Sequence, residues 1–323
     1  MKNNGGEAGE IKNKLWAIGG GKGGVGKSIV TLMLGISLAR LGKKVTLVDA
    51  DLGGSNLHTL AGIKYPRYTL ADFINRNVES IEEVTMDTPV ENVKLICGAD
   101  DILGMANPKY TQKTRLFNHL KRLEADVILL DLGAGTSFTT IDFFLYAPNK
   151  IVVLTPQITS VQNAYGFIKA GVYRCLNEAF SKDDEALGLI KRGSVSVQGE
   201  PIDSIAKLYD AFKVLGEGRQ ERLQSCIDGL RIKLIVNMVR EAREKNVSTI
   251  IKSVAKNYLS LSIDDLGTAQ YDNTLYASIN NMSDFLTKKR ASMAGINFYD
   301  IASNIVKGMK PPKSRAKAGP VKP

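Results

Sequence analysis

The stretch GGGKGGVGKSIV, residues 19–30, follows the apolar run Leu15-Trp16-Ala17-Ile18 and leads into a helix-patterned segment. Residues 21–28 fit the phosphate-loop pattern, in which glycines bare backbone N–H groups to a polyphosphate. Gly23, Gly24 and Gly26 let the chain curl close around phosphate oxygens, and the helix behind them points its positive end the same way. In this pattern Lys27 reaches the β- and γ-phosphates and the Ser28 hydroxyl ligates Mg²⁺. One lysine completes the pattern, yet Lys22 supplies a second at the front of the loop.

Short apolar, β-branched runs recur outward from this loop, with helix-patterned stretches between them. Residues 14–18, 44–49, 93–97, 127–131, 151–155 and 231–237 read as buried strands, and 266–270 as a weaker one. Near-continuous apolar strands alternating with helices indicate an α/β fold: a doubly wound, mostly parallel sheet flanked by helices. Ile29, Leu32, Met33, Ile36, Leu38 and Leu41 give the first helix an apolar face, and Gly42 stops it. Right-handed crossovers then gather the loops at the strand C-terminal ends along one crevice. The expected organisation is a flexible N-terminus over 1–13, one α/β domain over 14–309 and a disordered basic tail over 310–323. An acidic helical insertion is expected at about 178–230. It contains one helix behind Pro201, with Ile202, Ile205, Tyr209, Phe212 and Leu215 at helical spacing, and another over 219–227.

Two further elements fall on the same crevice. Val48-Asp49-Ala50-Asp51 ends the second strand and sets two carboxylates beside the phosphates, where Mg²⁺ and the lysines offset their repulsion. The apolar strand that ends at Asp131 is followed by Leu132-Gly133-Ala134-Gly135. Asp131 suits a water-mediated contact to Mg²⁺, and the glycines suit a loop that moves with a γ-phosphate.

Residues 22–28 (KGGVGKS), 49–51 (DAD) and 131–135 (DLGAG) together resemble the deviant Walker A ATPases of the MinD/ParA class, closest to the MinD/FlhG (FleN) branch. Residues 49–63, 155–170, 234–240 and 266–279 resemble further segments of that branch. The resemblance implies ATP and Mg²⁺ as cofactors, with Gly21, Lys22, Gly23, Gly24, Val25, Gly26, Lys27, Ser28 and Ile29 around the phosphates and Asn237 at the adenine. It implies Ser28, Asp49, Asp51 and Asp131 around the metal. Asp51, Lys22 and Lys27 become the catalytic set. Asp51 positions or activates the attacking water, and Lys22 crosses an ATP-dependent homodimer interface to the partner's nucleotide. Gln157 and Gln270 depart from the family, which commonly has an acid and a proline there, and the insertion lies outside its usual plan.

The implied function is an ATPase switch, slow without an activating or cargo protein, in spatial positioning or regulation such as flagellar placement or division-site selection. A ParA-like partition ATPase binding DNA non-specifically and an iron–sulfur carrier are the alternatives. The net charge is +10 over 323 residues, and the basic residues of 231–256 offer phosphate contacts. Cys97, Cys175 and Cys226 lie far apart with no CxxC, so they read as buried or half-buried free thiols rather than a cluster or disulfide framework. No apolar run approaches the roughly 20 residues of a spanning helix. The expected location is cytoplasmic, with peripheral attachment at the inner face of the cell membrane as an option. Ile296, Tyr299, Ile301, Ile305 and Val306 form an apolar stripe that, with the basic tail, suits an anionic membrane surface; the same helix also suits packing on the domain.

Overall fold

Eight strands form one sheet in the computed structural model, which describes residues 14–309 apart from 64–65, 99–107, 195–201, 217, 274 and 276–291. The N-terminus over 1–13, the basic tail over 310–323 and Pro201 therefore lie outside the described residues. The strands are β1 (Leu15–Gly19), β2 (Val45–Ala50), β3 (Thr85–Asp87), β4 (Val93–Ile96), β5 (Val127–Leu132), β6 (Asn149–Leu154), β7 (Ile232–Val239) and β8 (Asp264–Gln270). Their order is β3-β4-β2-β5-β1-β6-β7-β8. All neighbours pair in parallel except β3 with β4. β1 sits between β5 and β6, so the loop after it opens where the winding reverses, the usual ligand crevice of open α/β sheets.

The central strands are buried along their whole length, as parallel strands covered on both faces must be. Alternation sorts their residues into two cores. Ala17, Val48, Leu130 and Val152 face one side, and Ile18, Leu47, Leu129 and Val153 the other. On the second side lie α1 (Lys27–Arg40) and the C-terminal helix, numbered α11 (Met293–Met309). The first side holds α4 (Tyr110–Leu120), α5 (Phe138–Tyr146), α6 (Ile158–Ala179) and α10 (Val247–Leu259). The short α2 (Leu57–Leu60) and α3 (Leu70–Ile74) follow β2.

Between α6 and β7 the described residues form three helices: α7 (Asp184–Ser194), α8 (Ile205–Val214) and α9 (Arg219–Asp228). Their apolar residues Ala186, Ile190, Leu208, Phe212, Leu223 and Ile227 join the core built on α6. Phe212 meets Phe180 edge to face at 5.0 Å, and Arg219 holds Asp183 at 2.7 Å. The sequence reading had two helices here. It omitted α7 and began α8 behind Pro201, whereas Ser204 caps α8 by accepting from the Lys207 N–H.

The C-terminal helix is docked. Phe298, Ile301, Ala302 and Ile305 are buried against α1 and β8, and Asn304 donates to the Leu266 carbonyl at 3.0 Å. Ile301 and Ile305 of the proposed membrane stripe are therefore core residues, while Ile296 and Tyr299 remain about half exposed. Among the described residues no helix is long and apolar enough to cross a membrane.

Candidate functional site

The loop that opens the crevice bends back on itself at Gly24 (φ +82°) and Gly26 (φ +84°), left-handed conformations that side-chain-bearing residues rarely adopt. Gly26 is also hemmed in, since a Cβ there would lie 2.5 Å from the Asn237 amide nitrogen. That nitrogen donates to the Val25 carbonyl at 2.9 Å, so the buried end of β7 pins the loop to the sheet. α1 begins at Lys27, and its first-turn N–H groups face the loop.

Parallel register sets Asp49 of β2 directly beside Asp131 of β5. Strand alternation turns both side chains toward α1, the side that Leu47 and Leu129 also face. Asp131 is fully buried and meets the Thr31 hydroxyl of α1 at 3.2 Å. Burial pushes its carboxyl up to about 7, and the Asp49 charge adds to this; hydrogen bonds from Ser28 and Thr31 and the Lys27 ammonium work against it. Asp49 spends its oxygens on the loop that follows, accepting from the Asp51 N–H at 3.2 Å, the Ser55 hydroxyl at 2.7 Å and the Leu57 N–H at 2.9 Å. Burial raises its pKa and these three bonds hold it down.

Lys27 is buried, and the desolvation lowers its pKa while the Asp131 and Asp51 charges favour the ammonium. Asp51 is half-buried against the loop after β5, where a Cβ on Gly133 would lie 2.8 Å from its carboxylate. The loops after β1, β2, β5 and β7 thus meet at one edge of the sheet and bring Lys27, Ser28, Asp49, Asp51, Asp131 and Asn237 together. Lys22 stands exposed near the loop tip.

This set fits a phosphate-bound Mg²⁺. Two adjacent buried carboxylates with a single lysine leave negative charge that a divalent cation would offset. Ser28 already hydrogen-bonds Asp131, and it would supply a ligand oxygen in a place where no three-acid cage exists among the described residues.

A family model of ParA, described as NUBPL iron-transfer P-loop NTPase, matches residues 10–170, the part of the chain that carries β1, β2, β5 and their loops. The chain belongs to the ParA family of P-loop NTPases. It is 27% identical over 288 residues to a putative septum site-determining protein MinD of Oltmannsiellopsis viridis, covering 88% of this chain and 73% of that one. It is 34% identical over 155 residues to the antiactivator FleN of Pseudomonas aeruginosa, covering 47% and 54%. The septum site-determining protein MinD from Pyrococcus horikoshii, solved complexed with Mg-ADP, shares the fold with a TM-score of 0.59 at 20% identity, over 91% of this chain and 96% of that one.

In this ParA-family chain the sequence reading missed Thr31, Ser55 and the Leu57 N–H, which hold the two buried carboxylates. A hydroxyl one turn into α1 was visible, but nothing local ties Thr31 to a residue on β5. The basic stretch proposed for DNA is largely engaged with protein groups. Lys233 pairs with Asp264, Lys252 with Asp265 and Arg243 with Glu241, and Arg240 lies over the Tyr271 ring at 4.2 Å.

Proposed function

We propose that this protein is an ATP-hydrolysing switch that closes into a homodimer around ATP and acts in spatial positioning or regulation. The observation that carries the proposal is the buried Lys27, favoured as an ammonium by the charges of Asp131 and Asp51, behind a loop that Gly24 and Gly26 bend back on itself. Gly21 to Ile29 would line the phosphates, with Lys27 on the β- and γ-oxygens. Ser28 would ligate Mg²⁺ directly, and Asp49 and Asp131 would complete its surroundings. The metal would neutralise charge on the phosphates during transfer. Asp51, half-buried beside Gly133, would orient the attacking water. Asn237 would border the base while it fixes the Val25 carbonyl.

Lys22 supports the dimer. It is exposed, and its charge would gain most from a second nucleotide brought against it. An activating or cargo protein would set the timing, because slow turnover suits a switch. The relatives named MinD and FleN favour positioning or regulation over iron–sulfur transfer.

The test is the solution mass of Asp51→Ala by light scattering, with Mg²⁺-ATP and then with Mg²⁺-ADP. A dimer in ATP that reverts to monomer in ADP, and that Lys22→Ala weakens, is expected. A monomer in both states with ATP demonstrably bound would overturn the proposal.

A further inference from the structure

At the sheet edge where β6 begins, opposite the phosphate loop, a cavity of about 360 Å³ opens between α4, α5, α6 and α9. Asp142 in its wall is satisfied by Lys113 and Arg174, each at 2.8 Å. Deeper in the wall, the Lys150 ammonium is buried and donates to the Ala147 carbonyl at 2.6 Å. Cys175 of α6 and Cys226 of α9 line the same cavity, and both are half-buried. Far apart in sequence, the two thiols become hydrogen-bond partners where α9 packs on α6.

The pair is chemically unequal. The shared hydrogen bond and burial push the Cys175 thiol up. The same bond pulls Cys226 down, and the Arg222 charge acts in that direction too. Cys226 is therefore the more readily ionised sulfur of the two and the one assigned the attack on the oxidant. Cys97 differs from both: it is fully buried on the other face of the sheet, 3.6 Å from the Met86 sulfur.

We propose that Cys175 and Cys226 are a peroxide-responsive dithiol pair whose disulfide ties α9, and with it the helical insertion, to α6. The Cys226 thiolate attacks a hydroperoxide oxygen, the O–O bond breaks, and the departing oxygen leaves as water or alcohol after taking a proton. Cys226 is then a sulfenic acid. Cys175 attacks that sulfur, the S–S bond forms, and the S–O bond breaks. The oxygen leaves as water with the Cys175 proton. Two thiols and one hydrogen peroxide thus give one disulfide and two waters. The Lys150 charge favours the Cys175 thiolate needed in the second step. A dithiol reductant reverses the bond by exchange.

The full-length protein, reduced and freed of reductant, is treated with hydrogen peroxide, alkylated, digested and read by mass spectrometry. A loss of about 2 Da is expected, with one linked peptide pair carrying Cys175 and Cys226 and Cys97 alkylated only after unfolding. Dithiothreitol should restore both thiols. Cys175→Ser should accumulate a sulfenic acid on Cys226 that dimedone traps about tenfold faster than it traps Cys175 in Cys226→Ser. Cys175 and Cys226 both still alkylatable after peroxide would overturn the proposal. So would bonds only between separate molecules, or oxidation of one cysteine past the sulfenic stage without linkage. The readout on the wild-type chain stands whether or not either serine variant folds.

Discussion

The phosphate edge of this protein is a problem of unlike charges held out of water. Lys27 is the cation on which the Asp131 and Asp51 charges both act, so removing it leaves both acids without that partner. Lys27→Ala should lower ATP turnover by about 10²–10³-fold or more, the scale of losing one aimed electrostatic group, measured by phosphate release. Asp131 adds a pH dependence. Its folded pKa of about 7 lies above the ordinary carboxyl value of 3.8, so between these limits the folded state binds more protons than the unfolded state. Its contribution therefore falls as pH rises from about 4 to about 7. Thermal melting of the nucleotide-free protein should show this decline, and Asp131→Asn should flatten it. An unchanged slope in the variant would mean that Asp131 is ionised throughout.

Elements transmit these residue-scale constraints. β7 reaches the phosphate loop through one amide, and Asn237→Ala would leave the Val25 carbonyl buried without that donor. A cost of about 1–3 kcal/mol in urea unfolding is expected, accompanied by weaker nucleotide binding. The C-terminal helix α11 offers a second contrast. Ile301→Ala should destabilise the protein by about 2–5 kcal/mol, because the side chain sits in the core shared with α1. Tyr299→Ala, at a half-exposed position on the same helix, should stay within about 0.5 kcal/mol. Equal costs at the two sites would contradict a docked helix. The apolar stripe at 296–306 was legible in the sequence, but periodicity records only that a face is apolar. Whether lipid or protein covers that face was settled by α1 and β8.

For the molecule as a whole, the crevice couples stability to ligand. Four loops from four strands meet there, so a nucleotide that touches them binds only the folded chain. Mg²⁺-ATP at one hundred times its Kd should raise unfolding stability by about 2.7 kcal/mol. Lys27→Ala should lose most of that gain, and calorimetry with and without nucleotide measures both. The helical insertion packs on α6 and shares its core, so its described helices should unfold with the rest of the sheet's first face.

The sequence by itself determined the alternation of strand and helix, the parallel sheet and the phosphate loop. Each is written locally: buried strands need unbroken apolar runs, and a phosphate cradle needs glycine, lysine and serine at fixed spacing. The set Lys27, Ser28, Asp49, Asp51 and Asp131 was named for the same reason, since each ends or begins a legible element on one edge. Tertiary structure alone decided what depends on distant neighbours. The antiparallel β3 is three residues long and only partly buried, too short for a pattern. α7 was passed over because the surrounding stretch is strongly charged, and its burial comes from packing on α6. Thr31 beside Asp131, Asn237 beneath the loop and Cys175 against Cys226 are meetings of residues far apart in the chain. No local propensity encodes them, because the free energy that brings them together is the burial of the two faces of the sheet.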